Sequence, residues 1–408
     1  MHGSENYAPY AQPAYLQGFK SPLIIEIFTG LKKDDTNPPA SKAVYRKLAK
    51  VGLLAARIGP GKHLETFQII GDIAPAEFDY FHEMILHEEN RSNGLPGYSE
   101  TIGSGLSIGL PPVMNFAKEP TKSKVMEQVL NGDKIICLAI SEPGAGSDVA
   151  GILTTAVKTP DGKHYIVNGV KKWITNGTFA DYFTTAVRTG PGKYDISVIL
   201  IERNEQLSTR SIKTSHNSAT GTAYVVFENC MVPAENLLGK EGDGFKIIMY
   251  NFNHERWVMV AGTLAETRSI ISECFNYAVK KNSSGVATIG DPAVRFKLAN
   301  MVSKLEAGHS WLENITYQMT LMDYQEQSLK LAGPIALLKM LSSRIAHDVS
   351  DYACQIFGVD ALDQLGIGSK VEGFQRTYKF RAILGGSEEI LAQLAIKQAM
   401  KAFPNARL

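Results

Sequence analysis

The alternation of apolar and polar residues divides this chain into three textures. Between residues 41 and 132 the apolar positions recur at helical spacing. Ser41 is placed to cap a helix over Lys42–Ile58, and Phe78, Phe81 and Ile85 mark another over Ala76–Arg91. A third helix, at 121–131, ends on Gly132, the residue type that turns a chain out of a helix most easily. From 135 to about 231 the period shortens to two. Runs at Ile135–Ile140, Leu153–Lys158, His164–Val170, Tyr182–Thr189, Ser197–Glu202 and Tyr224–Phe227 read as strands, and Pro160-Asp161-Gly162 closes a hairpin. Past Val232-Pro233 the helical period returns, over about 244–281, 291–323, 326–357, 369–384 and 388–402. No internal repeat interrupts it. The predicted fold class is α+β: a tail (1–22), an N-terminal α-helical domain (23–133), a middle β domain (134–240) and a C-terminal α-helical bundle (241–408).

Composition narrows the function classes. The chain has 408 residues, 44% of them apolar, enough for two or three domains with their own cores. A net charge of +1 gives no reason to expect a nucleic-acid or membrane partner. No apolar run reaches the length of a bilayer span. Cys137, Cys230, Cys274 and Cys354 are widely spaced and read as buried free thiols of a soluble intracellular protein. The histidines show no ligand spacing, so no metal is expected. The first 22 residues are rich in Pro, Tyr and Ala, with no arginine before Arg46, unlike a mitochondrial presequence. The terminal Ala406-Arg407-Leu408 has the form of a peroxisomal address.

The chemistry concentrates in a few loops. The apolar run Ile135–Ile140 stops at Ser141, and Pro143, Gly144, Gly146 and Ser147 follow at once. Such a loop either cradles a cofactor, with backbone N–H groups and hydroxyls turned toward it, or makes a tight connection between strands. It is not a Rossmann fingerprint, because position 149, where a third glycine belongs, is Val149.

Three segments then settle into a known order: EPGAGSDVAG at 142–151, NGVKKWITNG at 168–177 and VPAENLLGKEGDGF at 232–245. In order and spacing, from about residue 100 to the C-terminus, the chain resembles the acyl-CoA dehydrogenase family of flavoproteins. The resemblance implies two α domains sandwiching a β-barrel-like middle, with FAD between the β domain and the C-terminal bundle. It implies flavin contacts at Leu138, Ile140, Ser141, Gly146, Ser147, Trp173 and Thr175. Ser387 and Glu389, at the start of the last helix, correspond to further cofactor positions. Gln355-Ile356-Phe357-Gly358 and Lys281-Asn282-Ser283-Ser284-Gly285 match motifs that reach a neighbouring subunit's FAD, which implies a homotetramer or homodimer. Here Val359 replaces one motif glycine and Ser284 an aromatic. Lys281, Gln355 and Gly358 are the positions carried over. Ser147, Phe252, Asn253 and Arg256 would line the acyl-CoA channel.

Making a trans-2-enoyl thioester requires a base for the α proton while hydride leaves the β carbon. That proton is weakly acidic, so one carboxylate must be held in a dry pocket. Many family members carry it in a C-terminal Tyr-Glu-Gly-Thr motif. This chain reads Leu384-Gly385-Gly386-Ser387 there. A subset resembling the isovaleryl and long-chain branches, into which a fungal peroxisomal type would fit, instead uses a Glu-Arg pair on an earlier helix, and Glu255-Arg256 match it. Phe245, Ile248, Met249, Phe252, Met259 and Val260 mark an apolar stripe on which 255 and 256 fall. The alternative for Glu255 is an ion pair with another helix. Glu388 meets the dipole of the last helix, which Ser387 can cap. The expected function is acyl-CoA dehydrogenation with Glu255 as base. The electron acceptor would be oxygen in a peroxisome or an electron-transferring flavoprotein in a mitochondrion. An oxidase, an enzyme acting on a carrier protein or a non-thioester substrate, and a non-catalytic flavin binder are the alternatives.

Overall fold

The computed structural model describes residues 41–92, 96–216, 218–283 and 286–403. The expected tail at 1–22, Ser284-Gly285 and the terminal tripeptide lie outside them. The described chain gathers into two compact units, one of residues 41–79 and 96–255, the other of 80–92 and 256–403.

In the first unit, Lys42–Lys50 is a helix that buries Tyr45 and Leu48 one turn apart. It does not continue to Ile58 as its periodicity predicts. Gly52 adopts φ 76° and presses on the backbone of Ile69, where a Cβ would come within 2.4 Å, so the chain restarts as Leu53–Ala56. Ser41 stands at the N-cap but its side chain makes no capping bond. The helix Thr121–Leu130 ends as expected, with Gly132 at φ 75° and its amide bonded to the Val129 carbonyl.

Eight strands form one sheet: β1 (Ile136–Ala139), β2 (Thr155–Lys158), β3 (His164–Ile174), β4 (Tyr182–Arg188), β5 (Ile196–Glu202), β6 (Leu207–Ser211), β7 (Ala223–Pro233) and β8 (Leu237–Leu238). They pair in the order β6-β7-β3-β2-β4-β5-β8, and β1 runs parallel to β4. Tyr165, Val167, Phe183, Ile199, Ile201 and Phe227 fill the inner face. β6 carries no alternation that marks it as a strand, because Leu207 is its one apolar side chain and it lies at the edge of the order. β3 extends past the predicted end at Val170 to Ile174. The helix Pro96–Gly103 runs through a wider π-type turn, Ser104–Gly109, into Pro111–Phe116. Thr184 Oγ1 donates to the Gly109 carbonyl at 2.7 Å and fixes this turn to β4.

The second unit is helical: Tyr80–Ser92, the part of Gly244–Lys280 from Arg256 onward, Pro292–Thr320, Tyr324–Lys330, Ala332–Phe357, Ser369–Ile383 and Glu388–Ala402. Its core includes Trp257, Leu264, Leu305, Leu312, Ile335 and Val349. The Trp257 indole N–H donates to Thr316 Oγ1 at 2.9 Å, so burying it leaves no polar group unpaired. The helix expected over 326–357 is two, because Asp323 caps an earlier start and the chain turns at Leu331. Helices, then a sheet, then helices make the α+β class read from the sequence.

Gly132→Ala should cost about 1–3 kcal/mol, since alanine tolerates φ 75° poorly and its Cβ would strike the Tyr45–Arg46 backbone at 2.5 Å. Thermal unfolding should show a midpoint several degrees lower with the folded circular-dichroism spectrum retained; an unchanged midpoint would contradict the cap.

Candidate active site

The loop that begins at Ser141 is anchored from beneath by an ion pair. Lys171 projects inward from β3 and is fully buried; Glu142, in the loop, is 5% exposed. Lys171 Nζ lies 2.7 Å from Glu142 Oε1 and donates to the Ile140 carbonyl at 3.0 Å. The remaining capacity of the carboxylate is taken by the amides of Leu153 at 2.6 Å and Thr154 at 3.0 Å. Burial pulls the Lys171 ammonium down to about 8, against the opposing pull of Glu142. Burial pushes Glu142 up, but the charge and hydrogen bond of Lys171, with the bonds from Thr154 and Leu153, leave it below the usual carboxylate range. Neither residue stood out in the sequence. The signal was present, since Tyr165, Val167 and Lys171 share the inward parity of β3.

The same strand then bends. Lys171 pairs with Val225 and Ile174 with Ala223, three steps against two, which is a β-bulge. Within it Trp173 takes φ 68° and leaves its indole 52% exposed, with the Lys172 ammonium 4.5 Å from the ring centre. The Lys172 amide donates to the Ser141 carbonyl at 2.8 Å, tying the tryptophan segment to the first loop. Thr175 is almost buried beside it. Asn176, also unremarked in the sequence, is fully buried and donates to the Thr101 carbonyl at 2.8 Å. Gly144, Gly146 and Ser147 are exposed, and open space surrounds the place where a Cβ would stand on either glycine. An exposed indole, nearby hydroxyls and an unfilled glycine loop fit a planar flavin with an anionic tail.

A narrow cleft opens in the same unit. Leu138 of β1, Ile140 just beyond its end, Ala186 of β4 and Val198 of β5 form its sheet side, and Ile108 and Pro112 close another. The helix Gly244–Lys280 supplies Ile247, Ile248, Asn251, Phe252 and Glu255. Glu255, 8% exposed, is the one ionisable side chain in that lining. The Asn251 amide is committed to the Ser107 carbonyl at 2.8 Å. The apolar stripe predicted on this helix is only partly its buried face. Phe245 and Met249 are exposed, at 37% and 38%, whereas Ile247 and Asn251 are buried. Asn253 is half-buried.

The remaining positions lie in the helical unit. Arg256 is buried, and its Nε donates to the Gly385 carbonyl at 3.0 Å. Ser387 stands at the N-cap of the last helix without a capping side-chain bond, which corrects the expectation. Glu388 instead accepts from Ser343 Oγ at 2.7 Å. Glu389 is exposed, and its own amide and the Ser387 hydroxyl hold it below the usual carboxylate range. Lys281 and the turn at 355–358 come together: Lys281 Nζ meets Asp360 at 3.0 Å and the Tyr277 hydroxyl, which donates to the Phe357 carbonyl. Gln355 and Gly358 are exposed there. Cys354 is half-buried rather than buried. Among the described residues no helix is long and apolar enough to cross a membrane, and no cluster of three or more His, Cys, Asp or Glu could hold a metal ion.

Comparison with known proteins gives a consistent result. Residues 137–230 match the family description "Acyl-CoA dehydrogenase, middle domain", and residues 242–400 match "Acyl-CoA dehydrogenase, C-terminal domain". The chain is 34% identical to an acyl-CoA dehydrogenase of Emericella nidulans, over 97% of this chain and 96% of that protein. It is also 34% identical to an acyl-CoA dehydrogenase of Alternaria alternata, over 88% and 84%. A crystal structure of a probable acyl-CoA dehydrogenase from Mycobacterium abscessus superposes with a TM-score of 0.82 at 25% identity, covering 92% of this chain and 95% of that one.

Replacing Lys171 by methionine should leave Glu142 buried without its counter-charge and cost about 3–5 kcal/mol. The pH dependence of unfolding separates the partners. Glu142, lowered on folding, contributes stability above its unfolded value that is lost as pH falls through the folded one. Lys171, lowered from 10.5 to about 8, gives the unfolded chain more bound protons between those values, so its share of stability rises with pH there. The methionine variant should lack that alkaline rise; an identical rise in both proteins would refute the assignment.

Proposed function

The chain belongs to the acyl-CoA dehydrogenase family of FAD-dependent oxidoreductases, and we propose that Glu255 removes the α proton of an acyl-CoA thioester to give a trans-2-enoyl-CoA. The observation that carries this reading is the place of Glu255 as the one ionisable side chain lining an apolar cleft. A base fixed on a helix and walled by hydrocarbon needs little rearrangement of water before it accepts a proton. Arg256 follows it directly, and neighbours at i,i+1 do not face each other on a helix. Its bond to Gly385 is consistent with that, and Gly385 has no side chain to act as a rival base. Both features support the reading that the chain carries its glutamate in a Glu-Arg pair, with Phe252, Asn253, Arg256 and Ser147 along the substrate channel.

When bound, FAD supplies the acceptor for the hydride that leaves the β carbon. Leu138, Ile140, Ser141, Gly146, Ser147, Trp173 and Thr175 would hold its ring end, and Ser387 and Glu389 its middle. Lys281, Gln355 and Gly358 would meet the adenosine end of a neighbouring subunit's cofactor in a homo-oligomer. Lys281 would do so while bonded to Asp360. We retain the division into helical, β and helical domains at 133/134 and 240/241 as part of this reading. The terminal Ala406-Arg407-Leu408 supports a peroxisomal address, of a fungal type, with oxygen as electron acceptor.

Glu255→Gln keeps size and hydrogen bonding but removes basicity. The purified variant should stay yellow and bind acyl-CoA, while anaerobic flavin reduction slows by about 10²–10⁴-fold or more. Reduction as fast as in the parent protein would remove Glu255 from the role and make Glu389 the next residue to test. A fluorescent fusion that leaves Leu408 free should colocalise with a peroxisomal marker and disperse when the last three residues are deleted. A mitochondrial pattern would overturn the address and favour an electron-transferring flavoprotein as acceptor.

A further inference from the structure

Two buried cations grip neighbouring carbonyls of one short loop in the helical unit. The loop, residues 384–387, joins the helix Ser369–Ile383 to the helix Glu388–Ala402. Arg256 Nε donates to the Gly385 carbonyl at 3.0 Å, and Lys339 Nζ donates to the Gly386 carbonyl at 2.7 Å. Lys339 belongs to the helix Ala332–Phe357 and is 2% exposed. Burying an ammonium that far is costly even when its donors are satisfied.

Two simpler roles explain Lys339 less well. A cation suits a helix C-terminus, so it could serve only to close the helix Ser369–Ile383. Its bond to the Ala382 carbonyl is 3.4 Å long, however, against 2.7 Å to the loop, and hydrogen bonds weaken with such lengthening. It could instead dock the last helix. That helix already has an apolar seam with the one that carries Lys339, where Ala336, Leu391 and Ala395 are buried. It also has a bond from Ser343 Oγ to Glu388 Oε1 at 2.7 Å. The loop is the part that needs holding. Gly385 at φ 67° and Gly386 at φ 106° are consecutive left-handed glycines, and no other residue type leaves a backbone so free. Ser387 follows directly, and its hydroxyl meets the Glu389 carboxylate, so both residues assigned to the cofactor move with the loop.

We infer that Lys339 is a positioning residue for the cofactor: its ammonium fixes the Gly386 carbonyl and thereby sets where Ser387 and Glu389 stand. It touches no reacting atom. This role rests on the reading that Ser387 and Glu389 meet the middle of FAD, and it adds a residue that none of the sequence motifs contains.

The full chain, stripped of flavin, would be titrated with FAD while flavin fluorescence is followed, and its unfolding midpoint taken by circular dichroism. Lys339→Met removes the charge and the donors at nearly constant volume, and should raise the FAD dissociation constant by about tenfold. Ser343→Ala, one helical turn away, breaks a bond from the same helix to the last one. It should lower the midpoint yet leave the dissociation constant unchanged. Where methionine prevents folding, Lys339→Gln, which keeps a donor without the charge, is read in the same way. Parent affinity in the folded Lys339 variant would overturn the role. Equal weakening by Ser343→Ala would also overturn it, because the effect would then be one of packing alone. Ser387→Ala tests the underlying reading separately. Weaker FAD binding in Ser387→Ala but not in Lys339→Met would overturn only the role of Lys339. The converse would uphold Lys339 and show that the loop meets FAD through its backbone rather than through the serine hydroxyl.

Discussion

A lysine and a glutamate sealed away from water hold the two loops of the candidate site in register. Burying either charge alone costs several kcal/mol, and their attraction offsets that only when every other hydrogen-bonding group is satisfied. Here most of these groups are satisfied. Lys171 has a second acceptor in the Ile140 carbonyl, and Glu142 has the amides of Leu153 and Thr154. One ion pair therefore joins the end of β1, the start of β2 and the far part of β3. The bulge beside it follows from the same requirement. In a regular strand residues 171 and 173 share a face, so a buried Lys171 would carry Trp173 inward with it. The left-handed backbone at Trp173 breaks that parity, exposes the indole and lets Ile174 return to the core. Such a conformation is unfavourable for a bulky residue and persists where the surroundings enforce it.

The cleft depends on a different balance. The proposed chemistry would need a charge in a place where charge is expensive, and the helix Gly244–Lys280 brings both hydrocarbon and a carboxylate to the cleft. Ile247, Ile248 and Phe252 give it hydrocarbon, and Glu255 gives it a single carboxylate. Arg256 meets the Gly385 carbonyl in the loop between the last two helices, so the glycine there takes part as backbone rather than through a side chain.

Much of this was legible in the chain. Local rules located the helix end at Gly132, the hairpin at 160–162 and the long helices of the C-terminal half, because each depends on residues close in sequence. The misreadings have the opposite cause. The first helix stops at Gly52 because the backbone of Ile69, seventeen positions away, lies against it. Phe245 and Met249 have the spacing of a buried stripe yet face outward, since periodicity gives a helix's faces but not which one is covered. The Glu142–Lys171 pair is separated by 29 positions, and its one local clue was a lysine on an inward-facing register. The choice of Glu255 as the proposed carboxylate rests on Glu255-Arg256 set against Gly385, because a missing side chain cannot be a base.

Proton removal by Glu255 is the claim on which the function turns, and it can be watched apart from the redox step. The holoenzyme would be incubated without oxygen in deuterated water with an acyl-CoA analogue in which sulfur replaces the β carbon, so that there is no β hydride to leave. Exchange of the α hydrogens for deuterium would be followed by NMR. The wild type should exchange them, and Glu255→Gln with equal flavin content should be slower by about 10²-fold or more. Equal exchange rates in the two proteins would contradict the assignment of Glu255 as the base.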